Sequence, residues 1–197
     1  MSSSFQIIVP VYNEEDVLPK ILEAAATAGY LDKMVFVDDA STDGSRVLLR
    51  KWVSSHGIRV VFLDKNRKKE GAIREVLESL EARRTLKPYT ILLDADSFIT
   101  RPADGVSVST TLENAIASMR DRGLAGLAFR IDAAIDESSN FMELCAFADY
   151  SSMQFDHWVT SHQQQLWVIN GPGGLFRSDL LLETSAACSP TSIRAIC

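Results

Sequence analysis

The 197-residue sequence contains no uninterrupted apolar run near the roughly 18 to 20 residues that a membrane-spanning helix needs. Its opening, Met1-Ser-Ser-Ser-Phe5, lacks the charged start and long apolar stretch of a secretory signal. A membrane is therefore expected to enter only through segments absent here, and the expected setting is cytoplasmic, at the cytoplasmic face of a membrane in a longer protein. Cysteine is scarce. Cys145, Cys188 and Cys197 are an odd number without metal-ligand spacing, which argues for a reducing compartment and against a disulfide framework. Positive charge is in deficit, with 20 Lys and Arg against 26 Asp and Glu, so nucleic acid is not an expected partner. His56, His157 and His162 share no ligand spacing and read as core or surface side chains rather than a zinc site. What remains is an ordinary globular composition, 46% hydrophobic and 23% charged, long enough for one large domain with its own core.

Short β-branched runs alternate with helical patterns, the sequence form of βαβ units and a mostly parallel sheet. Strands are expected at Phe5–Pro10, Met34–Asp38, Ile58–Leu63, Thr90–Asp94, Leu124–Ile131 and Leu166–Ile169. Val17, Leu18, Ile21, Leu22 and Ala25 make one apolar helical face, and Ile73, Val76, Leu77 and Leu80 another. Gly29 and Gly57 fall where helix C-caps belong. Leu112, Ala115, Ile116 and Met119 repeat the spacing, and Phe141 to Val159 extends it over a longer helix. Residues 1–182 are read as one domain, with its boundary after Leu182. Glu183–Cys197 loses periodicity and is expected to be an irregular tail, truncated or out of frame.

Three acid-rich clusters fall at the C-terminal ends of expected strands: Pro10-Val-Tyr-Asn-Glu14, Asp38-Asp39-Ala-Ser-Thr-Asp-Gly44 and Asp94-Ala-Asp96. In an open parallel sheet those ends share one crevice, where ligands bind. Each cluster alone has a plainer reading: Asn13 or Glu14 capping a first helix, Ser41 and Thr42 capping a second, Asp94 and Asp96 in a solvated turn. Their coincidence on one rim favours a site. Two carboxylates one residue apart offer oxygens to a hard divalent cation, so Asp94 and Asp96 read as a bridge to a diphosphate. Asp39 is a good acceptor for a nucleobase ring N–H, which uracil has and cytosine lacks.

At these residues the sequence resembles the family 2 glycosyltransferases of the GT-A fold, which transfer a sugar from a nucleotide-sugar with inversion. Ile8-Val-Pro-Val-Tyr-Asn-Glu14 and Val37-Asp-Asp-Ala-Ser-Thr-Asp-Gly-Ser45 look like the first two motifs of that family, and Leu92-Leu-Asp-Ala-Asp96 looks like its metal motif. Asn66-Arg-Lys-Lys69 followed by Ala72-Ile73-Arg74 is similar to its Asn-x-Gly-Lys stretch, with Lys68 in the glycine place. Asn170-Gly-Pro-Gly-Gly-Leu-Phe-Arg177 resembles its acceptor-side glycine segment. The resemblance implies an α/β, Rossmann-like, mostly parallel sheet with helices on both faces. It implies that Pro10, Tyr12, Glu14 and Asp39 hold the nucleoside of a UDP-sugar, and that Lys69 and Asp94 serve the diphosphate. It further implies that Asp96, assisted by Asp94, holds Mn²⁺ or Mg²⁺, and that Gly171, Gly173 and Gly174 let backbone approach the sugars. The acceptor is left as a sugar or a lipid.

The catalytic residue is not assigned. Inverting members use an acid after the glycine segment as general base, and the last acid here is Glu183, so the base is expected to be absent from the chain after Leu182. The chain is thus expected to bind donor and transfer sugar slowly, the alternative being a catalytically incomplete nucleotide-binding domain that acts through a partner. Gln163-Gln-Gln-Leu-Trp167 mimics a motif of processive members but precedes the glycine segment. A receiver domain or a haloacid-dehalogenase-like phosphatase would also use Asp94, but both need a lysine downstream of it, and none follows Lys87. A sugar-nucleotide pyrophosphorylase would need a Gly-rich, Arg-containing loop where Val11–Asp16 stands. Trp158 and Trp167 are read as core.

Overall fold

The structure, a computed structural model, describes residues 4–100, 105–129 and 173–187. Along the chain run β1 (Phe5–Val11), α1 (Leu18–Ala28), a 3₁₀ turn (Leu31–Lys33), β2 (Met34–Asp38), α2 (Ser45–His56), β3 (Arg59–Phe62) and α3 (Lys68–Ala82). They are followed by β4 (Tyr89–Leu92), α4 (Val108–Asp121), β5 (Gly126–Ala128), β6 (Gly174–Arg177) and α5 (Ser178–Ala187). The sheet order is β3-β2-β1-β4-β6-β5. The first four strands are parallel, and β6 runs antiparallel to both β4 and β5.

Strand side chains alternate between the two faces, and β1 shows why its sequence is apolar throughout. Phe5, Ile7, Val9 and Val11 pack on one face with Leu18, Ile21, Leu22 and Ala25 of α1 and Leu112, Ile116 and Met119 of α4. Ile8 points to the other face, with Val35 and Val37 of β2 and Ala72, Val76 and Leu77 of α3. Both faces are covered, so alternation of polar and apolar residues is lost. Each fully buried aliphatic side chain contributes about 1.5–3 kcal/mol. Gly29 (φ 76°) and Gly57 (φ 65°) end α1 and α2 in the left-handed conformation, as their positions in the sequence implied. A chain of buried polar side chains ties three elements: Gln6 Nε2 donates to Thr90 Oγ1 at 3.2 Å, and Thr90 shares a 2.7 Å hydrogen bond with Ser178.

Three expectations change. Residues 174–177, read as part of an acceptor-side glycine segment, form a strand, because Gly174 to Arg177 pair in register with Leu92 to Tyr89. The boundary expected after Leu182 falls inside a helix. Leu181 and Leu182 of α5 pack against the core cluster on the α3 side of the sheet, and α5 runs on through Glu183 to Ala187. No proline interrupts it before Pro190, and Leu, Glu and Ala are good helix formers, so the irregular tail was expected to begin too early. The strand expected from Thr90 to Asp94 stops at Leu92, which leaves both aspartates on the loop beyond it. The helix expected over Phe141–Val159, the strand at Leu166–Ile169, Trp158, Trp167, His157, His162 and Gly171 lie outside the described residues. Among the described residues no helix is long and apolar enough to cross a membrane.

Candidate functional site

The polar clusters meet where the sheet reverses its winding. From β1 the chain builds outward through β2 to β3 on one side and resumes with β4 on the other, which opens a crevice beyond the C-terminal ends of the strands. A cleft of about 220 Å³ occupies that place. Pro10, Tyr12, Glu14, Asp39, Lys69, Asp94 and Asp96 all line it, together with Val11 and Ala95. These are the residues singled out from sequence for nucleoside, diphosphate and metal.

They arrive from the ends of β1, β2 and β4 and from the first turn of α3. Tyr12 and Glu14 follow β1, and Tyr12 keeps 46% of its surface exposed, so its ring is open to a ligand. Asp39 follows β2 and is almost fully buried. Its backbone N–H donates to the Val11 carbonyl at 2.8 Å, and its Oδ1 accepts the Arg67 backbone N–H at 2.6 Å. One carboxylate oxygen is thereby held, and the orientation of the group with it. Lys69 stands in the first turn of α3, and its ammonium donates to Asp94 Oδ1. Asp96, exposed, accepts from the Ser97 hydroxyl at 3.1 Å. The Glu14 carboxyl is pushed above its usual range, first by burial and then by the negative charges of Asp96, Asp43 and Asp94.

That crowding of carboxylates is the arrangement a divalent cation relieves. Among the described residues no three acidic, His or Cys side chains converge at metal-ligand spacing. Asp94 and Asp96 instead form an incomplete set of hard oxygen donors, which fits a cation that takes its remaining oxygens from diphosphate and water. Gly173 and Gly174 are engaged elsewhere. Gly173 (φ 75°) donates its N–H to the Leu92 carbonyl at 2.8 Å and accepts from the Phe129 N–H at 3.0 Å, while Gly174 pairs with Leu92 and Ala128. Neither is among the residues lining the cleft.

Some residues that shape the site have roles that the sequence did not assign. Asp38, completely buried, accepts from the Arg46 guanidinium and from the Ser41 N–H, so the two aspartates of the pair have opposite destinations. A buried carboxylate needs a counter-charge, and an arginine in the first turn of the next helix was the available hint. Tyr30 also belongs here, because its hydroxyl accepts the Ile99 N–H on the loop after Asp96. A larger hollow of about 540 Å³ lies at the opposite ends of the strands, floored by Leu86, Pro88, Tyr89, Met119 and Leu124; there Arg177 and Asp179 neutralise one another. The convergent acids are in the smaller cleft.

The sequence model of glycosyl transferase family 2 matches residues 6–143. The chain belongs to this family. A dolichyl-phosphate beta-glucosyltransferase of Drosophila melanogaster is 30% identical over 136 residues, 63% of this chain and 40% of that protein. An undecaprenyl-phosphate 4-deoxy-4-formamido-L-arabinose transferase of Klebsiella pneumoniae is 37% identical over 65 residues, 31% of this chain and 20% of that protein. The family 2 chain thus spans well under half the length of these curated relatives. Among solved structures, a Pyrobaculum calidifontis mannosyltransferase in complex with GDP-Man and Mn²⁺ superposes with a TM-score of 0.61 at 21% identity, covering 93% of this chain and 47% of that one. S. aureus TarS 1-349 in complex with UDP-GlcNAc gives 0.55 at 19% identity, covering 91% and 47%. At such identities the likeness establishes the fold, and it is the GT-A fold expected from the motifs.

Proposed function

We propose that this family 2 chain is the donor-binding part of a glycosyltransferase that moves a sugar from a UDP-sugar, with inversion, to a polyprenyl phosphate. The observation that carries the reading is the single cleft in which Tyr12, Asp39, Lys69, Asp94 and Asp96 converge from three loops and the first turn of α3. Asp39 accepts the N3–H of uracil with the oxygen that Arg67 leaves free, and Tyr12 offers its ring to the base. Lys69 offsets diphosphate charge. Mn²⁺ or Mg²⁺, held by Asp96 and Asp94, supplies charge stabilisation for the leaving UDP when bound. In the transfer the acceptor oxygen forms a bond to the anomeric carbon while the bond from that carbon to the diphosphate oxygen breaks, and UDP leaves with the electron pair.

The acceptor assignment draws on the printed names of the relatives, which act on dolichyl, undecaprenyl and dodecaprenyl phosphates. With such an acceptor, the general base expected to be absent after Leu182 is not required. A phosphate monoester loses its second proton near pH 6, so at neutral pH its oxygen needs no general base to become a nucleophile, unlike a sugar hydroxyl.

Calorimetry with UDP in Mn²⁺ and in EDTA, followed by transfer assays with a polyprenyl phosphate and the matching polyprenol, tests the proposal. The expected result is tighter UDP binding in Mn²⁺, by several kcal/mol on the order of a lost metal bridge, and product only from the phosphate. Equal UDP affinity in both buffers, or transfer to the alcohol alone, would overturn it.

A further inference from the structure

Apart from Asp43, whose Oδ1 accepts the Ser45 N–H at 3.0 Å at the start of α2, the side chains suited to cap α1 and α2 do not cap them. Neither helix has a side-chain hydrogen bond at its N-cap. Instead the β1–α1 and β2–α2 loops bond to each other. Three consecutive N–H groups of the first loop donate to side chains of the second loop and of the first residue of α2: Asn13 to Ser41 Oγ at 3.1 Å, Glu14 to Ser45 Oγ at 2.8 Å and Glu15 to Asp43 Oδ2 at 3.1 Å. Two N–H groups return the pattern, Thr42 to Asn13 Oδ1 at 2.8 Å and Gly44 to the Glu15 carboxylate. A Cβ at residue 44 would sit 2.4 Å from Glu15 Oε2, so a larger residue there would displace the end of the Glu15 side chain from this contact.

The reciprocal bonding surrounds two left-handed residues that are not glycine, Asn13 (φ 58°) and Ala40 (φ 59°). Such conformations persist only where the surroundings over-determine them. Each directly follows a cleft residue, Asn13 after Tyr12 and Ala40 after Asp39. The separation of Tyr12 and Asp39 is set at the strand ends by the sheet, where Val11 pairs with Asp38 and the Asp39 N–H donates to the Val11 carbonyl, and beyond them by these bonds between the loops. Lys69, from the first turn of α3, and Asp94 and Asp96, from the loop after β4, take no part in this bonding.

We propose that Asn13 and Ser41 are positioning residues that hold Tyr12 and Asp39 at the separation one uracil ring requires, and so act on base discrimination rather than on diphosphate binding. The proposal rests on the nucleotide reading above. Asn13→Gly keeps the left-handed backbone and removes only the side-chain acceptor, which separates the hydrogen bond from conformational strain. Ser41→Ala removes the acceptor on the facing loop, and Ser41→Thr restores it.

Binding of UDP and CDP in Mn²⁺ is measured for the wild type and these three variants, with CDP read by competition and folding checked by thermal melts. Asn13→Gly and Ser41→Ala should each weaken UDP roughly tenfold, the size of one hydrogen bond to the site, while CDP changes little, so the preference for UDP collapses. Ser41→Thr should keep the wild-type preference. Unchanged UDP affinity in both loss variants, or a parallel fall of UDP and CDP that marks general loosening, overturns the positioning role while leaving the nucleotide reading intact. A wild-type chain that does not bind UDP, or does not prefer it to CDP, overturns the nucleotide reading and this inference with it.

Discussion

The hydroxyl of Tyr30 accepts the backbone N–H of Ile99 at 3.0 Å, pinning the loop that carries Asp94 and Asp96 to the far end of α1. Tyr30 is fully buried, and burial raises its phenol pKa above the usual value despite the opposing hydrogen bond from Ile99. Tyr30→Phe should cost about 1–3 kcal/mol, because the Ile99 N–H loses its partner. Urea unfolding reads the loss. In the wild type the unfolded phenol ionises first, so Tyr30 contributes stability below roughly pH 10 and that contribution is lost as pH rises further. The Phe variant should lack this component of alkaline unfolding.

At the nucleoside end, Asp39→Asn should weaken UDP binding by about 1.5–3 kcal/mol, the range for a hydrogen bond to a charged group. The amide keeps one acceptor oxygen, enough for either the Arg67 N–H or the base, so Asp39→Ala, which keeps neither, should lose more. Calorimetry in Mn²⁺ measures both, and an Asn variant that binds UDP as well as the wild type would remove Asp39 from the base site.

Two strained positions offer stabilising substitutions. Ala40 (φ 59°) and Lys68 (φ 64°) hold left-handed backbones that cost a residue bearing a Cβ about 1–2 kcal/mol, against a smaller entropic penalty for placing glycine there. Ala40→Gly and Lys68→Gly should each raise stability by about 0.5–1 kcal/mol. Lys68 stands where the motif it resembles has glycine, and its φ explains why glycine suits the place. A denaturation midpoint that falls in either variant contradicts the assignment.

The crowded acids predict a pH effect. Because the Glu14 carboxyl titrates above its unfolded value, ionising it in the folded chain costs stability as pH rises above roughly 4. Glu14→Gln should therefore raise the melting temperature at pH 7 and have no stabilising effect well below pH 4. Mn²⁺ should shrink the difference at pH 7, since a bound cation offsets the same repulsion. Thermal melts across pH, with and without the metal, check the sign.

The outline of the fold and the members of the cleft were legible in the sequence because the signals that carry them are local. The apolar run of β1, the helical spacing of Ile73, Val76, Leu77 and Leu80, and the glycines at 29 and 57 depend on neighbours within a few residues, and acids placed directly after strands share a rim in any parallel sheet. Tertiary structure decided what long-range pairing controls. Asp38 and Asp39 are identical neighbours on one strand end, yet one turns to Arg46 and the other to the cleft, because successive side chains face opposite ways and only the packed α2 supplies the guanidinium. Asn13, Ser41 and Thr42 looked like helix caps, and their actual partners lie 28 and 29 residues away on the facing loop. Leu182 looked like the end of the fold, and the core contact that keeps it inside α5 comes from residues of α3 and the sheet far earlier in the chain. Gly173 and Gly174 read from sequence only as a glycine segment, and their pairing with β4, some eighty residues earlier in the chain, is one that local propensity cannot see.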